Sequence, residues 1–186
     1  MAELDVTVLP TFKYHPDPIA SGSIIPSSSK CVACEVSRGW IYVGPTYCET
    51  DLDERLCPWC IADGTAHRKF GVEFVDPAGV GGYGQWELVP KTVIEQVCFQ
   101  TPSFNGWQQE QWFTHCNDAA YFIGCAGKQE LEKLDTAAYE AIKVESGYDE
   151  DEWTQYFNQM DVNTGPTAYL FRCCHCGAWG GYSDVG

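Results

Sequence analysis

The sequence predicts an α+β fold in which zinc-ribbon-like knuckles sit on β-hairpins and several helices complete the core. Three observations carry this expectation. Cys31-Val-Ala-Cys34 and Cys57-Pro-Trp-Cys60 are two C-x-x-C steps separated by residues 35–56, a spacing that wraps a tetrahedral Zn²⁺ in four sulfurs. A third step, Cys173-Cys-His-Cys176 followed by Gly177, comes directly after a strand-like run. Apolar residues between 129 and 163 recur at helical spacing.

In chain order, residues 9–26 hold four prolines and few periodic cues. They read as an extended arm on the surface, because a residue before proline avoids the α region. Trp40-Ile-Tyr-Val-Gly44 is β-rich and closes at Gly44-Pro45, with Thr46–Cys48 resuming on the far side as a hairpin. An acidic stretch, Glu49–Glu54, leads to the second cysteine pair. Ile61–His67 reads as a turn or short helix, and Phe70–Val75 as extended. Gly79, Gly81, Gly82 and Gly84 mark a loop; no strand–glycine–helix order with a following Lys-Ser/Thr makes it a phosphate cradle. Asn105 is placed to cap a helix from Gly106 to about Cys116.

Ala119–Cys125 reads as a buried strand. Leu131, Leu134, Ala138, Ala141, Ile142 and Val144 form the apolar stripe of a helix over 129–146, with Gly147 as its stop. Asp149–Glu152 opens another helix with acids where the dipole favours them, its buried stripe being Trp153, Tyr156, Phe157 and Met160. Thr167–Arg172 and Ala178–Tyr182 are paired strands around the third knuckle. The expected organisation is a single domain over 1–186. It has a zinc-knuckle subregion at 28–70 and a helical region at 98–186 closing on a knuckle-bearing hairpin.

Composition narrows the function classes. Apolar residues make 45% and aromatics 14% of 186 residues, ample for a core. Eleven basic against 26 acidic residues give a net charge of −15, which disfavours direct binding to phosphate backbones. A basic protein is the partner such a charge selects, unless the acidity serves solubility alone. Met1–Asp5 lacks a basic leader start, no long apolar run suggests a membrane span, and a cytoplasmic location is expected. There the cysteines read as metal ligands rather than disulfides.

Zinc is the expected cofactor. Cys31, Cys34, Cys57 and Cys60 form the first ligand set. Cys173 and Cys176 need two further donors, and His115 with Cys116 are the preferred pair; Cys98, Cys125, Cys174 and His175 are the alternatives. Cys48 and Cys98 otherwise read as small apolar core residues. Cys57-Pro-Trp-Cys60 also admits a thiol-redox reading. Four-thiolate zinc leaves no position for substrate, and neither an H-E-x-x-H nor a G-x-S-x-G motif occurs. No catalytic residue is nominated.

Residues 9–24 (LPTFKYHPDPIASGSI), the first cysteine pair, residues 56–70 (LCPWCIADGTAHRKF), 104–112 (FNGWQQEQW) and 166–177 (PTAYLFRCCHCG) together resemble the bacterial CbrC family. That resemblance implies association with tolerance to an E-type colicin, a nuclease bacteriocin, and no established enzymatic activity. Its cysteine motifs fall on Cys31, Cys34, Cys57, Cys60, Cys173 and Cys176. The expectation is thus a zinc-stabilised cytoplasmic protein that binds a basic, nuclease-type protein. The alternatives are a metal-dependent hydrolase or thiol-redox enzyme, and a purely structural or regulatory zinc protein.

Overall fold

The computed structural model describes residues 8–186, so the reading of Met1–Asp5 lies outside the described residues. The chain is a mixed α+β fold of two compact units. One is formed by the chain up to Pro77 with Lys91–Asn105, the other by Ala78–Pro90 with Gly106–Gly186.

In the first unit, β1 (Ile24–Pro26) pairs antiparallel with β2 (Trp40–Tyr42) in the register Ile24↔Tyr42 and Pro26↔Trp40. The first cysteine pair lies in the connection between these strands. The expected hairpin of β2 with Thr46–Cys48 does not form. The ladder is taken by β1, while Tyr47 exchanges backbone bonds with Glu73 instead. Helices α1 (Pro58–Ala62), α2 (Thr65–Phe70) and α3 (Lys91–Gln100) complete the unit. Helix α3 is not among the expected elements although Val93, Ile94, Val97 and Cys98 recur at helical spacing; the β-branched Thr92, Val93, Ile94 and Val97 favour strand locally, and Val97 and Cys98 are the residues it buries.

The core of this unit gathers Ile24, Tyr42, Leu56, Ile61, Val72 and Phe74 around Cys31, Cys57 and Cys60. The N-terminal segment is not a surface arm. Phe12, Tyr14 and His15 are buried. The His15 ring is satisfied on both sides, by Ser21 Oγ within the segment and by the Pro102 carbonyl outside it.

In the second unit, β3 (Thr114–His115) and β4 (Asp118–Ala119) form a tight hairpin. Strands β5 (Tyr121–Ala126), β6 (Thr167–Arg172) and β7 (Trp179–Asp184) form an antiparallel sheet in that order. Phe122, Leu170, Phe171 and Tyr182 are buried in it.

The helix expected over Gly106–Cys116 is absent. Its backbone N–H groups are claimed from outside the segment: Trp107 N donates to Tyr169 Oη (2.8 Å), Gln111 N to Tyr182 Oη (3.1 Å) and Trp112 N to the Gly79 carbonyl (2.9 Å). Tertiary partners here override local propensity.

The apolar stripe over 129–146 is divided between α4 (Lys128–Leu131) and α5 (Thr136–Ser146), because Asp135 caps α5 through a bond from Ala137 N. Ala138 and Ile142 are buried, but Val144 is 77% exposed. Gly147 closes α5 at φ 66°. In α6 (Glu150–Gln159), Asp149 and Glu152 form a reciprocal capping box. Trp153 is buried with its indole N–H on Tyr139 Oη. No helix among the described residues is long and apolar enough to cross a membrane.

His15 gives the first unit a pH dependence. A carbonyl only accepts, so Nδ1 donates to Pro102 O (2.7 Å) and Nε2 accepts from Ser21 Oγ (2.8 Å). Burial pushes its imidazole down to about 4. Between about pH 6.5 and that value the unfolded chain binds a proton that the folded chain excludes. Stability therefore falls as pH drops through this window, with a slope approaching about 1.4 kcal/mol per pH unit from this group. Melting curves between pH 7 and 5 should show a shallower pH dependence for His15→Gln than for the wild type; equal slopes would exclude the assignment.

Candidate metal centres

The two C-x-x-C turns that are not at a helix start share one backbone solution. Glu35 N donates to Cys31 O (2.7 Å) and Cys31 N to Val36 O (3.1 Å). The third step repeats this, with Gly177 N on Cys173 O (3.2 Å) and Cys173 N on Ala178 O (2.8 Å). In both, the residue after the second cysteine is left-handed: Glu35 at φ 61° and Gly177 at φ 72°. The turn points both thiols the same way. Cys57-Pro-Trp-Cys60 reaches the same end differently. Cys57 is the N-cap of α1, Pro58 occupies its first turn, and Cys60 N bonds Cys57 O.

These turns bring Cys31, Cys34, Cys57 and Cys60 together, with all four donor atoms within 4.8 Å of one another. His115, Cys116, Cys173 and Cys176 form the second such group. Ligand lengths of about 2.3 Å for sulfur and about 2.0–2.1 Å for nitrogen give tetrahedral edges of about 3.8 Å (S···S) and about 3.5 Å (S···N). Cys34 Sγ lies 3.8 Å from Cys57 Sγ, and Cys116 Sγ lies 3.8 Å from Cys176 Sγ. His115 Nδ1 lies 3.2 Å from Cys116 Sγ and 3.4 Å from Cys176 Sγ. Both donor sets fit one tetrahedral cation each.

His115 and Cys116 arrive by a route the sequence reading did not foresee. They occupy the β3–β4 hairpin, not a helix end. Cys116 (φ 56°) and Asn117 (φ 57°) form its two-residue turn, both left-handed, as a type I′ turn requires. Asn tolerates that region, whereas a cysteine there is strained. That conformation goes with Cys116 Sγ lying beside the His115 ring.

Around this centre, Cys174 and His175 fill the interior of the knuckle and both dock on β4. Cys174 Sγ donates to Ala119 O (3.3 Å), and His175 Nε2 meets Asp118 Oδ2 at 2.8 Å. Glu87 accepts from Asn117 N at 3.0 Å. The backbone N–H groups of Asn117 and Cys116, with the nearby His115, lower its carboxyl. Of the remaining alternatives, Cys98 is buried in α3 and Cys125 lies on β5; Cys48, expected as a small core residue, is only half-buried and donates to Thr50 O. None of the three joins either group. At the first centre, Lys69 Nζ donates to Ala33 O inside the knuckle (2.5 Å), tying α2 to the turn that carries Cys31 and Cys34. No spacing in the sequence announces Lys69, Glu87 or Asp118.

Proton competition is visible in the thiols. A hydrogen bond from Cys57 brings Cys31 down to about 4, and the same bond pushes Cys57 up. Burial, with the neighbouring Cys31 charge, takes Cys60 up to about 12. In the second group burial works against ionisation of Cys173, but the N–H groups of Cys176 and His175 and the His115 contact bring it down to about 6. Its bond to Cys176 raises Cys116 to about 12. Four adjacent thiols cannot all ionise unless a cation replaces the protons. The eleven cysteines carry no disulfide among the described residues.

The class is thereby defined: an α+β chain with cysteine- and histidine-lined candidate metal centres at its hairpins. The chain belongs to the family described as "Uncharacterised protein family (UPF0167)", whose model matches residues 9–185. It is 43% identical over 182 residues to UPF0167 protein Mb2317 of Mycobacterium bovis and, to the same extent, to UPF0167 protein MT2352 of Mycobacterium tuberculosis. Each match covers 95% of this chain and 93% of the relative. UPF0167 protein PA1536 of Pseudomonas aeruginosa is 36% identical over 170 residues, covering 91% of this chain and 93% of its own. No solved structure matches the chain. The resemblance to the CbrC family is corrected by these matches, which place the chain in UPF0167, and the colicin-tolerance association it carried falls with it.

The two knuckles differ in one residue that is open to test. Glu35 holds a left-handed conformation that Gly177 adopts without a Cβ penalty. Glu35→Gly should raise stability by about 0.5–1 kcal/mol, read as a higher melting temperature of the metal-loaded protein. A lower one would show that the Glu35 side chain contributes more than its backbone costs.

Proposed function

We propose that this chain is a zinc-stabilised, acidic, cytoplasmic protein that acts by binding a basic protein partner and is not an enzyme. One observation carries the reading: each candidate centre assembles four soft donors with tetrahedral edges. Sulfur-dominated sets of this kind favour zinc over hard-cation sites. With four protein ligands in place no position remains for water or substrate, so the metal braces the fold rather than performing hydrolysis. The same packing argues against the redox reading of Cys57-Pro-Trp-Cys60. A dithiol needs only two sulfurs, and Cys34 Sγ stands 3.8 Å from Cys57 Sγ. The net charge of −15 then supplies the selection, since opposite fields speed encounter and set partner choice.

Metal content tests the reading. Native protein should carry two zinc ions per chain, and Co²⁺ replacement should give distinct absorption bands for an S₄ and an S₃N centre. Structural zinc supplies about 10–16 kcal/mol at pH 7, comparable to or above the whole stability of a domain, about 5–15 kcal/mol. Cys57→Ser should therefore lose one ion and unfold the first unit, while Cys176→Ser loses the other. Protein that contains no metal and melts unchanged after exhaustive chelation would overturn the proposal.

A further inference from the structure

The glycine-rich run and the aromatic residues beside it build a feature that the metal centres do not explain. Gly81, Gly82 and Gly84 have φ of 91°, 59° and 93°. They fold the chain back so that Trp86 N bonds Gly81 O (3.0 Å) and the indole lies on Gly82, where any Cβ would collide with it. Trp86 meets Phe113 edge to face, with centroids 5.3 Å apart at 80°. Phe113 in turn lies on Gly180 of β7, a position closed to any side chain. Trp86, Phe113 and Trp179 thus wall an open groove of about 530 Å³, whose other side is the α5 face carrying Glu140, Val144 and Glu145.

Two features of the groove point to its occupant. The first is charge. Glu145 is half-buried, and burial raises its carboxyl. Its partners are Gln85 Nε2 at 3.3 Å and the Ser183 backbone. No lysine or arginine among the described residues forms an ion pair with Glu145; Glu140 feels the charge of Lys143, whose ammonium is itself paired with Glu150 at 2.6 Å. A partly desolvated carboxylate without a cation is stabilised by one brought from outside. The second is the walls. Indole and phenyl faces attract cations through their quadrupole, and Trp179 already holds the Arg172 guanidinium 5.2 Å from its ring centre. Val144, 77% exposed at the mouth, offers the apolar surface on which the stem of a long cationic side chain lies.

We propose that this groove receives a lysine or arginine side chain presented by the basic protein partner, its aliphatic stem against Val144 and its charge between the carboxylates and the aromatic walls. The inference rests on the reading that the chain binds a basic protein, and it specifies where.

The test uses the metal-loaded full-length chain and a fluorescein-labelled peptide alternating lysine and glycine, followed by anisotropy at low salt, about 50 mM, where screening is weak. The wild type should bind with 1:1 stoichiometry, and a peptide with acetylated lysines should not bind. Glu140→Gln with Glu145→Gln should weaken binding about tenfold or more. Val144→Arg, at an exposed position that cannot disturb the core, should do the same with an unchanged melting temperature. If the wild type binds the lysine peptide and these variants bind it equally well, the groove is overturned while the basic-partner reading stands. If the acetylated peptide binds as tightly, recognition of a cation is overturned. If the wild type binds neither the lysine peptide nor its arginine counterpart, the basic-partner reading fails and the groove with it.

Discussion

Four thiol or imidazole donors held at tetrahedral spacing are a constraint the chain can meet in only one way. Protonated, the sulfurs crowd each other; ionised, they repel; the pattern of one lowered and two raised thiols in the first group is the compromise. A divalent cation removes the conflict, and much of the surrounding structure is arranged to hold the donors until it does. In the first unit Cys31, Cys57 and Cys60 are part of the apolar core itself. Packing and ligation therefore cannot be separated there: the residues that exclude water from Leu56 and Ile61 also exclude it from the sulfurs.

The two centres solve the problem with different supports. The first joins a knuckle to a helix start, is mostly buried, and has its knuckle backbone held by Lys69. The second joins two hairpins and is mostly exposed, with Cys116 and Cys176 on the surface. Its stiffness comes from hydrogen bonds instead of burial. Cys174 and His175 tie the knuckle to β4, and Glu87 ties the β3–β4 turn. An exposed centre exchanges metal and protons more readily than a buried one, because opening it displaces no core.

The donors were legible in the sequence because ligation imposes spacing. A C-x-x-C step places two sulfurs on one turn whatever the fold around it, and so Cys31, Cys34, Cys57, Cys60, Cys173 and Cys176 are readable in isolation. The α6 box at Asp149 and Glu152 and the Gly147 stop were legible for the same local reason. What was not legible depends on partners distant in the chain. The stretch 106–116 has a reasonable helical pattern, yet Tyr169, Tyr182 and Gly79 claim its N–H groups. Strand β2 pairs backwards with β1, so the first knuckle sits inside a hairpin instead of before one. Helix α3 did carry a local signal, Val93, Ile94, Val97 and Cys98 at helical spacing, but its β-branched residues masked it. Long motif matches to a named family proved less specific than the whole-chain comparison, which runs from residue 9 to 185.

The second centre and the aromatic groove are adjacent in the chain, and this links stability to recognition. Phe113 stands immediately before β3, two residues from His115, and Trp179 opens β7, three residues after Cys176. Two of the three aromatic residues on one side of the groove thus stand on short extensions of ligand-bearing turns. A cation shared by His115, Cys116, Cys173 and Cys176 would fix the β3–β4 turn against the β6–β7 knuckle, and the side chains that emerge from them would inherit that placement. Recognition of a long cationic side chain needs walls that are already in position, since ordering them on binding would subtract from the affinity. On the proposed function, a closed metal centre next to the groove would supply such pre-organisation without itself touching the bound side chain.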